Sequence, residues 1–347
     1  MNMGTTQERP GVYSVYEASA VVSAGARNGV AAVAALSTAG TAGQVYELFS
    51  CGDTAAEFGA KDPLTELVCL LLVNGAAKVL AVPVRKKEDY AKAFDQLAYR
   101  DGIKVMTCDS TELTVQQALR DCVKTASEQR RERIAVVAGT AGQTVSQLTQ
   151  QAKELNSERV VLIAPGSGKD VDGARTAAAA AGAICAETDP ALPLGGVVLR
   201  GLPGIPTPYQ ESEIDTLIQG GVTPVESVAG VTTVVRGVTT RTLTSGTRDD
   251  TWKELTTILV VDDVIPGVRN VLRTRFSRSK NTPQTRDAIR SQVILELERK
   301  KTAEYITNYG EITVRPADDK PTICLEEFSF TVAHGLNQIW LNAQIAV

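Results

Sequence analysis

The sequence predicts an α/β domain with a mostly parallel sheet and flanking helices, followed by a smaller α+β C-terminal domain. Between residues 30 and 199, short apolar segments alternate with longer segments whose apolar residues recur at helical spacing. This alternation is typical of parallel strands that are covered by helices on both faces. After Thr188-Asp189-Pro190 prolines punctuate the chain, and the later strands and helices no longer alternate. We therefore expect the α/β domain to end near residue 200.

The elements of the first part follow from local signals. A helix begins at Asp62-Pro63, with Asp as N-cap and Pro at its first position, and it ends near Asn74-Gly75. Another helix follows Thr111, where apolar residues recur at i, i+3, i+4, i+7 and i+8. The other expected elements are strands over residues 45–50, 78–84, 103–108, 133–138 and 160–164, and helices over residues 88–99, 145–155 and 171–181.

The second part combines several helices with β-type sequence. Its longest helix is expected over residues 285–308, with Ile289, Val293, Ile294, Leu297 and Ile306 as packing residues. The other expectations are helices over residues 211–219 and 263–276, a long β-type stretch over 227–244, a short strand over 311–314 and a polar linker over 315–321.

Both ends of the chain carry strand-like segments. A short aromatic and β-branched strand near the N-terminus is followed by small residues up to Gly29, which predict a flexible tether. Near the C-terminus, two runs of period two are separated by turn residues, and we expect a terminal hairpin. Their partners could belong to the same chain or to a neighbouring copy. The expected organisation is an N-terminal arm over 1–20, the α/β domain over 21–200, the α+β domain over 201–324 and a C-terminal strand arm over 325–347.

Composition excludes several functional classes. The formal charge of −4 argues against a general nucleic-acid surface, and no apolar run approaches the roughly 18 residues of a membrane span. The polar start of the chain lacks the features of a secretory signal, so we expect synthesis in the cytoplasm. The six cysteines are scattered without a C-x-x-C pair, and the presence of a single histidine argues against a zinc site.

No segment carries a complete catalytic or phosphate-binding motif, and we predict no catalytic, cofactor-binding or metal residues. Residues 164–170 resemble a phosphate loop, but a Walker loop needs Gly where Ile163 stands and Ser or Thr where Asp170 stands. Residues 138–142 lack the dinucleotide-binding spacing, and a nucleophile–histidine device could use only His334. Three pairs of neighbouring aspartates are better explained as caps, turns or solvated charges: Asp249-Asp250, Asp262-Asp263 and Asp318-Asp319.

Basic residues cluster once, between residues 269 and 280. Such a run is most often a solvated face, but it could also be a docking surface for an acidic protein partner, with polyanion binding as a third possibility. The cluster consists of Arg269, Arg273, Arg275, Arg278 and Lys280.

Several segments, taken in their order along the chain, resemble those of the tail sheath proteins of contractile phages and R-type bacteriocins (tailocins). The resemblance covers most of the chain. It rests on the start Arg9-Pro10-Gly11-Val12-Tyr13, the turn Gly220-Gly221-Val222-Thr223-Pro224-Val225, the run Val234-Val235-Arg236-Gly237-Val238-Thr239-Thr240, a helix over 264–276 that ends in R-x-R-F, and the alternating C-terminal strands. The chain is short for the family, which implies that it lacks large outer insertions. The subtilisin-like label often given to the family's middle region has no triad here.

The resemblance implies a structural subunit and not an enzyme, with no cofactor. Sheath subunits form stacked hexameric rings around an inner tube, and their arms complete β-sheets with neighbouring subunits. Contraction, driven by a metastable extended lattice, pushes the tube through a target envelope as part of a contractile injection system. Implied partners are further copies of the chain, the inner tube protein, and baseplate and terminator proteins, without nucleic acid or membrane. The implied place of assembly is a phage tail or phage-tail-like particle.

By position, the resemblance implies roles for three groups of residues. The N-arm strand would contain Val12, Tyr13, Val15 and Tyr16, and the C-arm strand would contain Ile339, Leu341, Ala343 and Ile345. A charged helix near the C-terminus faces the tube in this family; here it is the helix from Thr285 or the basic stretch before it. The candidates are Arg273, Arg275, Arg278, Lys280, Arg286 and Arg290. Alternative functions are a cytoplasmic α/β enzyme or nucleotide-binding protein with an unrecognised site, and another self-assembling shell protein.

Overall fold

The computed structural model describes residues 29–165, 172–205, 209–318 and 320–337, which form two compact units. The first, which we call the sheet unit, contains residues 29–259 and 334–337 of the described chain. The second, the C-terminal unit, contains Val260–Ala333. The division falls inside one helix, α8, which runs from Leu255 to Phe276.

The sheet unit is built on one eight-stranded sheet. Its strands are β1 Val30–Leu36, β2 Tyr46–Leu48, β3 Lys78–Val84, β4 Ile103–Cys108, β5 Ile134–Ala138, β6 Val160–Ala164, β7 Thr223–Val228 and β8 Val231–Val234. They lie in the order β2-β3-β1-β4-β5-β6-β7-β8. The six inner strands run parallel, and the two edge strands β2 and β8 are antiparallel to their neighbours. A short hairpin joins β9 Leu243–Thr244 to β10 Thr247–Arg248.

Helices cover both faces of this sheet, as the alternation predicts. They are α1 Cys51–Phe58, α2 Pro63–Val73, a 3₁₀ turn Lys87–Asp89, α3 Tyr90–Ala98, α4 Leu113–Glu128, α5 Val145–Leu155, α6 Gly173–Ala186 and α7 Glu211–Gln219. One apolar core joins α3, α4, α5 and α7 to the sheet, while α2 and α6 pack together on the other side. At Gly182 of α6 a Cβ atom would lie 2.6 Å from the carbonyl oxygen of Leu71, so this close helix contact requires glycine.

Local capping signals are confirmed where the sequence showed them. Asp62 is the N-cap of α2: its Oδ1 accepts a hydrogen bond from the Leu64 amide at 3.0 Å, and Pro63 occupies the first helical position. Strands β3, β4 and β6 and helix α7 have their predicted bounds. The sequence interpretation did not name β1 or α1 as separate elements.

The C-terminal unit contains most of α8, the helix α9 Pro283–Thr302 and two small antiparallel sheets. One sheet pairs β11 Ile306–Tyr309 with β14 Phe330–Val332, and the other pairs β12 Thr313–Ala317 with β13 Lys320–Glu327. Phe328, Phe330 and Val332 are half-buried and alternate with exposed residues, as the period-two pattern predicts.

Several predictions for the second part are wrong. The eight-stranded sheet continues past residue 200, because β7 and β8 belong to it. The β-type stretch over 227–244 is not one strand, because the chain reverses at Ala229 and Gly230, both with positive φ. After β8, the Val235 amide bonds to the Pro224 carbonyl oxygen of β7 and the Thr240 amide to the Val160 carbonyl oxygen of β6. Helix α8 begins at Leu255, ahead of the predicted start at 263, and Pro266-Gly267 lies inside it, as the prediction of a helix over 263–276 implied.

The helix predicted over 285–308 ends at Thr302. Glu304 adopts a left-handed φ of +59°, and the amides of Glu304 and Tyr305 bond back to the last turn of α9. Ile306, a predicted packing residue of that helix, is a buried strand residue of β11 opposite Val332. The predicted linker over 315–321 instead forms parts of β12 and β13.

Candidate interaction surface

A ligand crevice in an open α/β sheet lies at the carboxyl ends of the strands, where the strand order reverses. Here that point lies beside β1, which has β3 on one side and β4 on the other. Asp109, just after β4, accepts a hydrogen bond from the Leu36 amide at 2.9 Å and another from the Tyr90 hydroxyl. The Arg85 guanidinium, just after β3, donates to the carbonyl oxygens of Ser37, Ala39 and Gly40.

The polar groups at this edge are therefore occupied by one another. Burial raises the pKa of Asp109, although the Tyr90 hydroxyl and the Leu36 amide oppose that rise. Burial and the neighbouring Asp109 also raise the pKa of Tyr90 far above its usual value. The side-chain amide of Gln116 donates to the Ala138 carbonyl oxygen at 2.8 Å and accepts from Gln151 at 2.7 Å. These contacts stabilise the loops at this edge. Residues 166–171, part of the segment that resembles a phosphate loop, lie outside the described residues.

The other candidate catalytic groups are dispersed. His334 is exposed. The hydroxyl groups of Thr244 and Thr251 lower the pKa of Asp249 to about 2, which fits a turn, one of the three roles predicted for the aspartate pairs. Within the described ranges, no group of three or more histidine, cysteine or acidic residues could hold a metal ion. Nor does any helix of the described chain have the length and apolarity needed to cross a bilayer.

The basic candidates of the C-terminal unit lie on one continuous segment, which we call the basic segment: residues 273–290. It contains six basic residues and one acidic residue, in a chain of net charge −4. Arg273 and Arg275 are in the last turn of α8, Arg278 and Lys280 follow in the connection, and Arg286 and Arg290 are on α9. Arg269, also in the sequence cluster, is buried and does not belong to this surface.

These side chains are mostly unpaired. Arg273, Arg275, Arg278, Lys280 and Arg290 are exposed and make no ion pair with any described residue. Arg286 is half-buried, and its guanidinium donates to the Asn281 side-chain oxygen at 2.9 Å. The amide nitrogen of Asn281 in turn donates to the Pro321 carbonyl oxygen at 2.7 Å, which anchors the start of α9 on β13.

Helix dipoles explain only part of this arrangement. Basic side chains in the last turn of α8 are favourable, because the C-terminus of a helix carries partial negative charge. The first turn of α9 has no acidic residue, and Arg286 lies close to its positive end. The helix dipole therefore does not account for the basic charge on α9, which favours an electrostatic docking role.

The second half of α9 has a different character. Lys300 pairs with Asp263 of α8 and with Glu296 of α9, and all three side chains are mostly buried. Arg299 also pairs with Glu296, at 3.4 Å. The buried charges at this end of the helix are thus neutralised locally, whereas the exposed cations of the basic segment are not.

The sequence interpretation missed two features of α9. Ile294, predicted to pack inside, is 36% exposed, and its neighbour Leu295 is 45% exposed. Three consecutive apolar residues starting at Val293 cannot all face one side of a helix. This run in the sequence could therefore have indicated that some of these residues are exposed. The Lys300 ion pairs had no comparable signal, because they depend on how α8 and α9 pack.

The predicted arm residues lie outside the described part of the chain. This applies to the N-arm residues Val12, Tyr13, Val15 and Tyr16 and to the C-arm residues Ile339, Leu341, Ala343 and Ile345. The first half of the predicted terminal hairpin, β14, pairs with β11.

Comparison with known proteins decides the family. The model of the phage tail sheath protein central domain matches residues 84–240, and that of the phage tail sheath C-terminal domain matches residues 247–346. The chain belongs to the phage tail sheath family. The tail sheath protein of Bacillus phage SP01 is 26% identical over 259 residues, which are 70% of this chain and 42% of that protein. The chain thus spans less than half the length of this relative.

Solved sheath structures share the fold along nearly the whole chain. The anti-feeding prophage helical sheath in its contracted state superposes with a TM-score of 0.72 at 16% identity, covering 98% of this chain and 99% of that one. The sheath tail protein of Desulfitobacterium hafniense has a TM-score of 0.70 at 11% identity, covering 93% of this chain and all of that one. The predicted combination of a mostly parallel α/β domain and a separate C-terminal domain is thereby confirmed for this tail sheath protein.

Proposed function

We propose that this chain is the structural subunit of a contractile tail sheath. It polymerises as stacked hexameric rings around an inner tube and contracts to drive the tube through a target envelope. The observation that carries the proposal is the match of two tail sheath family models to residues 84–240 and 247–346. A similar chain belongs to the anti-feeding prophage baseplate, 6-fold symmetrised, which supports the hexameric ring.

The two small sheets of the C-terminal unit support a role for the arms. Isolated two-stranded sheets are marginally stable in water, and open strand edges invite further strands. Among the described residues, the β11–β14 and β12–β13 sheets contain two strands each. Under the proposal, the N-arm strand around Val12 and Tyr13 and the C-arm strand around Leu341 extend such sheets in neighbouring subunits, which keeps subunits connected while the lattice changes.

The basic segment is the proposed contact with the inner tube. Its unpaired cations suit an acidic surface, and electrostatic attraction of this kind favours fast association and correct orientation. Within it we favour Arg290, which is exposed and unpaired, and Arg286, which is half-buried and bonded only to the neutral side chain of Asn281, because the dipole of α9 does not account for their charge. Arg273, Arg275, Arg278 and Lys280 form the remainder of the proposed contact.

The remaining parts of the proposal follow from the assembly. Its partners are further copies of the chain, the tube protein, and baseplate and terminator proteins, with no nucleic acid, membrane or cofactor. The subunit is made in the bacterial host cytoplasm, is built into a phage tail or phage-tail-like particle and is not an enzyme. Against the alternative of an α/β enzyme, the groups around Asp109 and Arg85 are bonded to the protein's own backbone.

Negative-stain electron microscopy of the purified, untagged protein over a range of salt concentrations tests the proposal. We expect hollow, striated tubes. A uniform population of small particles at every salt concentration, combined with tight binding in a nucleotide screen, would overturn the proposal and favour the enzyme alternative.

A further inference from the structure

Residues 194–199, which we call the outer segment, run antiparallel to the edge strand β8 on the side away from β7. The Leu199 amide donates to a carbonyl oxygen of β8 at 2.8 Å, and the Val197 carbonyl oxygen accepts from an amide of β8 at 3.0 Å. Val198 stands between these two bonds, opposite Thr233. In such a non-hydrogen-bonded pair, the N–H and C=O groups of Val198 point away from β8, so the outer segment has an open edge at this residue.

An apolar patch lies beside this open edge. Val231 is two residues from Thr233 and stands opposite Val228 of β7, so the side chains of Val198, Val231 and Val228 share one face of the sheet. These three residues, which we call the valine patch, are 45%, 43% and 53% exposed. The backbone of Val198 makes no hydrogen bond with any described residue. An open strand edge beside exposed apolar side chains favours the addition of another strand.

The chain returns to the outer segment near its C-terminus. A Cβ atom on Gly335 would lie 2.9 Å from Cγ of Pro193, the residue directly before the outer segment, and 3.0 Å from its Cβ and Cδ. The backbone of Gly335 therefore rests on the Pro193 ring, and both residues belong to the sheet unit. The described chain ends two residues later, at Asn337, beside one end of the outer segment.

The residues that follow are long enough to reach the valine patch. Ten residues come after Asn337, and an extended chain of that length spans up to about 33 Å. The five residues from Pro193 to Val198 span at most about 18 Å. Every second residue from Ile339 to Val347 is apolar, and a strand with this pattern has one apolar face to set against the patch.

We propose that, in the free subunit, residues 338–347 dock on their own sheet unit as an added strand that bonds to Val198 and covers the valine patch. The inference rests on the proposed function, under which the same residues form the C-arm strand of an assembled sheath. The two positions of the arm exclude each other. Docking within the chain therefore lowers the fraction of subunits whose arm is free, and it slows polymerisation until a neighbouring subunit offers the stronger pairing.

Residue-resolved hydrogen exchange on the full chain tests this docking, at a concentration where ultracentrifugation shows single subunits. We expect the Val198 amide to exchange about tenfold more slowly than in a chain that ends at Asn337. Alternate amides within residues 338–347 should be protected in the same sample, because every second amide of an added edge strand faces the sheet.

Two variants test the patch and the contact beside it. Val198→Asp places a charge under the added strand and should remove the protection of residues 338–347, whereas the matched control Val73→Asp, at an exposed valine of α2, should keep it. Gly335→Val should displace the chain from the Pro193 ring and also remove the protection. Val198→Asp and Gly335→Val should both shorten the lag before polymers form.

Rapid exchange of residues 338–347 in single subunits would overturn the inference. Protection that appears only in polymers would assign the patch to a neighbouring copy and would overturn it as well, as would equal losses in Val198→Asp and Val73→Asp. Exchange in single subunits does not require a polymer. Tubes from a protein with unprotected arms would therefore contradict this inference alone, whereas protected arms without tubes would contradict only the proposed function.

Discussion

At the scale of single residues, Glu326 is a carboxyl group whose charge the fold disfavours. Its Oε1 atom is buried and has no hydrogen-bond partner among the described residues, and burial raises its pKa from 4.5 to about 7. The folded state therefore holds this proton more tightly than the unfolded chain does. Ionisation of Glu326 therefore leaves the free energy of unfolding unchanged below the pKa of the unfolded chain. It lowers that free energy increasingly as the pH rises toward 7, and above that pH the loss stays constant.

Glu326→Gln should therefore stabilise the C-terminal unit at neutral and higher pH. We expect the free energy of unfolding at pH 8 to rise by about 1–2 kcal/mol, after allowance for partial solvent screening, with little change at pH 4. Urea unfolding across this pH range measures the effect. The exposed neighbour Glu327 provides the control Glu327→Gln, and identical pH profiles for Glu326→Gln and the original protein would contradict the prediction.

Lys300 represents the opposite case, a mostly buried charge that is paired. It neutralises Asp263 and Glu296, which are themselves 16% and 10% exposed. Lys300→Met would leave two carboxylates without their cation, and we expect a loss of about 3 kcal/mol in urea unfolding. The exposed Lys301, whose ammonium lies over the Tyr309 ring, gives the control Lys301→Met, with an expected loss under about 1 kcal/mol. Equal losses in the two variants would refute this role for Lys300.

Residue-level features could be predicted where the signal is local. The Asp62 cap and the Asp249 turn depend on neighbours in sequence, and both were predicted from them. The bonds of Lys300 to Asp263 and of Asp109 to Leu36 join residues far apart in the chain. The spacing of residues in the sequence does not predict these contacts, because they form only after the elements have packed.

At the scale of elements, the parallel sheet was predictable and the small antiparallel sheets were not. Buried apolar strands such as β3 and β6 stand out because helices of clear period separate them. In the C-terminal unit, α9 runs almost directly into β11, and the break falls at Glu304 and not at a glycine or proline. The helical spacing of apolar residues therefore extends beyond Thr302, where α9 ends. For this reason Ile306 was assigned to the helix, although it belongs to β11.

The basic segment contains two elements that a charge-reversal experiment can separate. We expect Arg286→Glu/Arg290→Glu to weaken association with the inner tube strongly, because it reverses the charge of the α9 surface. The matched pair Arg278→Glu/Lys280→Glu, in the connection before α9, should have a smaller effect. Counting sheathed tubes by electron microscopy at several salt concentrations provides the measurement, and normal sheathing by both variants would exclude this segment as the tube contact.

At the scale of the whole molecule, the described chain divides within α8 into a sheet unit and a C-terminal unit of smaller elements. The buried core that joins four helices to the sheet belongs entirely to the first unit. The C-terminal unit instead has two-stranded sheets, unpaired cations and the half-buried carboxyl group of Glu326. The C-terminal unit also has buried apolar residues of its own, such as Val264 and Val293, and under the proposed function its cations and strand edges serve assembly.

Deletion of the N-terminal arm tests whether assembly depends on a segment that the core does not need. Removal of residues 1–20 should abolish polymerisation, because the neighbouring subunit loses its added strand, while the sheet unit stays folded with an unchanged main melting transition. Removal of residues 1–8 alone, which precede the predicted strand at Val12, should leave polymerisation intact. Analytical ultracentrifugation and calorimetry of both proteins give the two readouts. Tubes from the longer deletion would refute the arm, and loss of the melting transition would show that residues 1–20 belong to the core of the subunit itself.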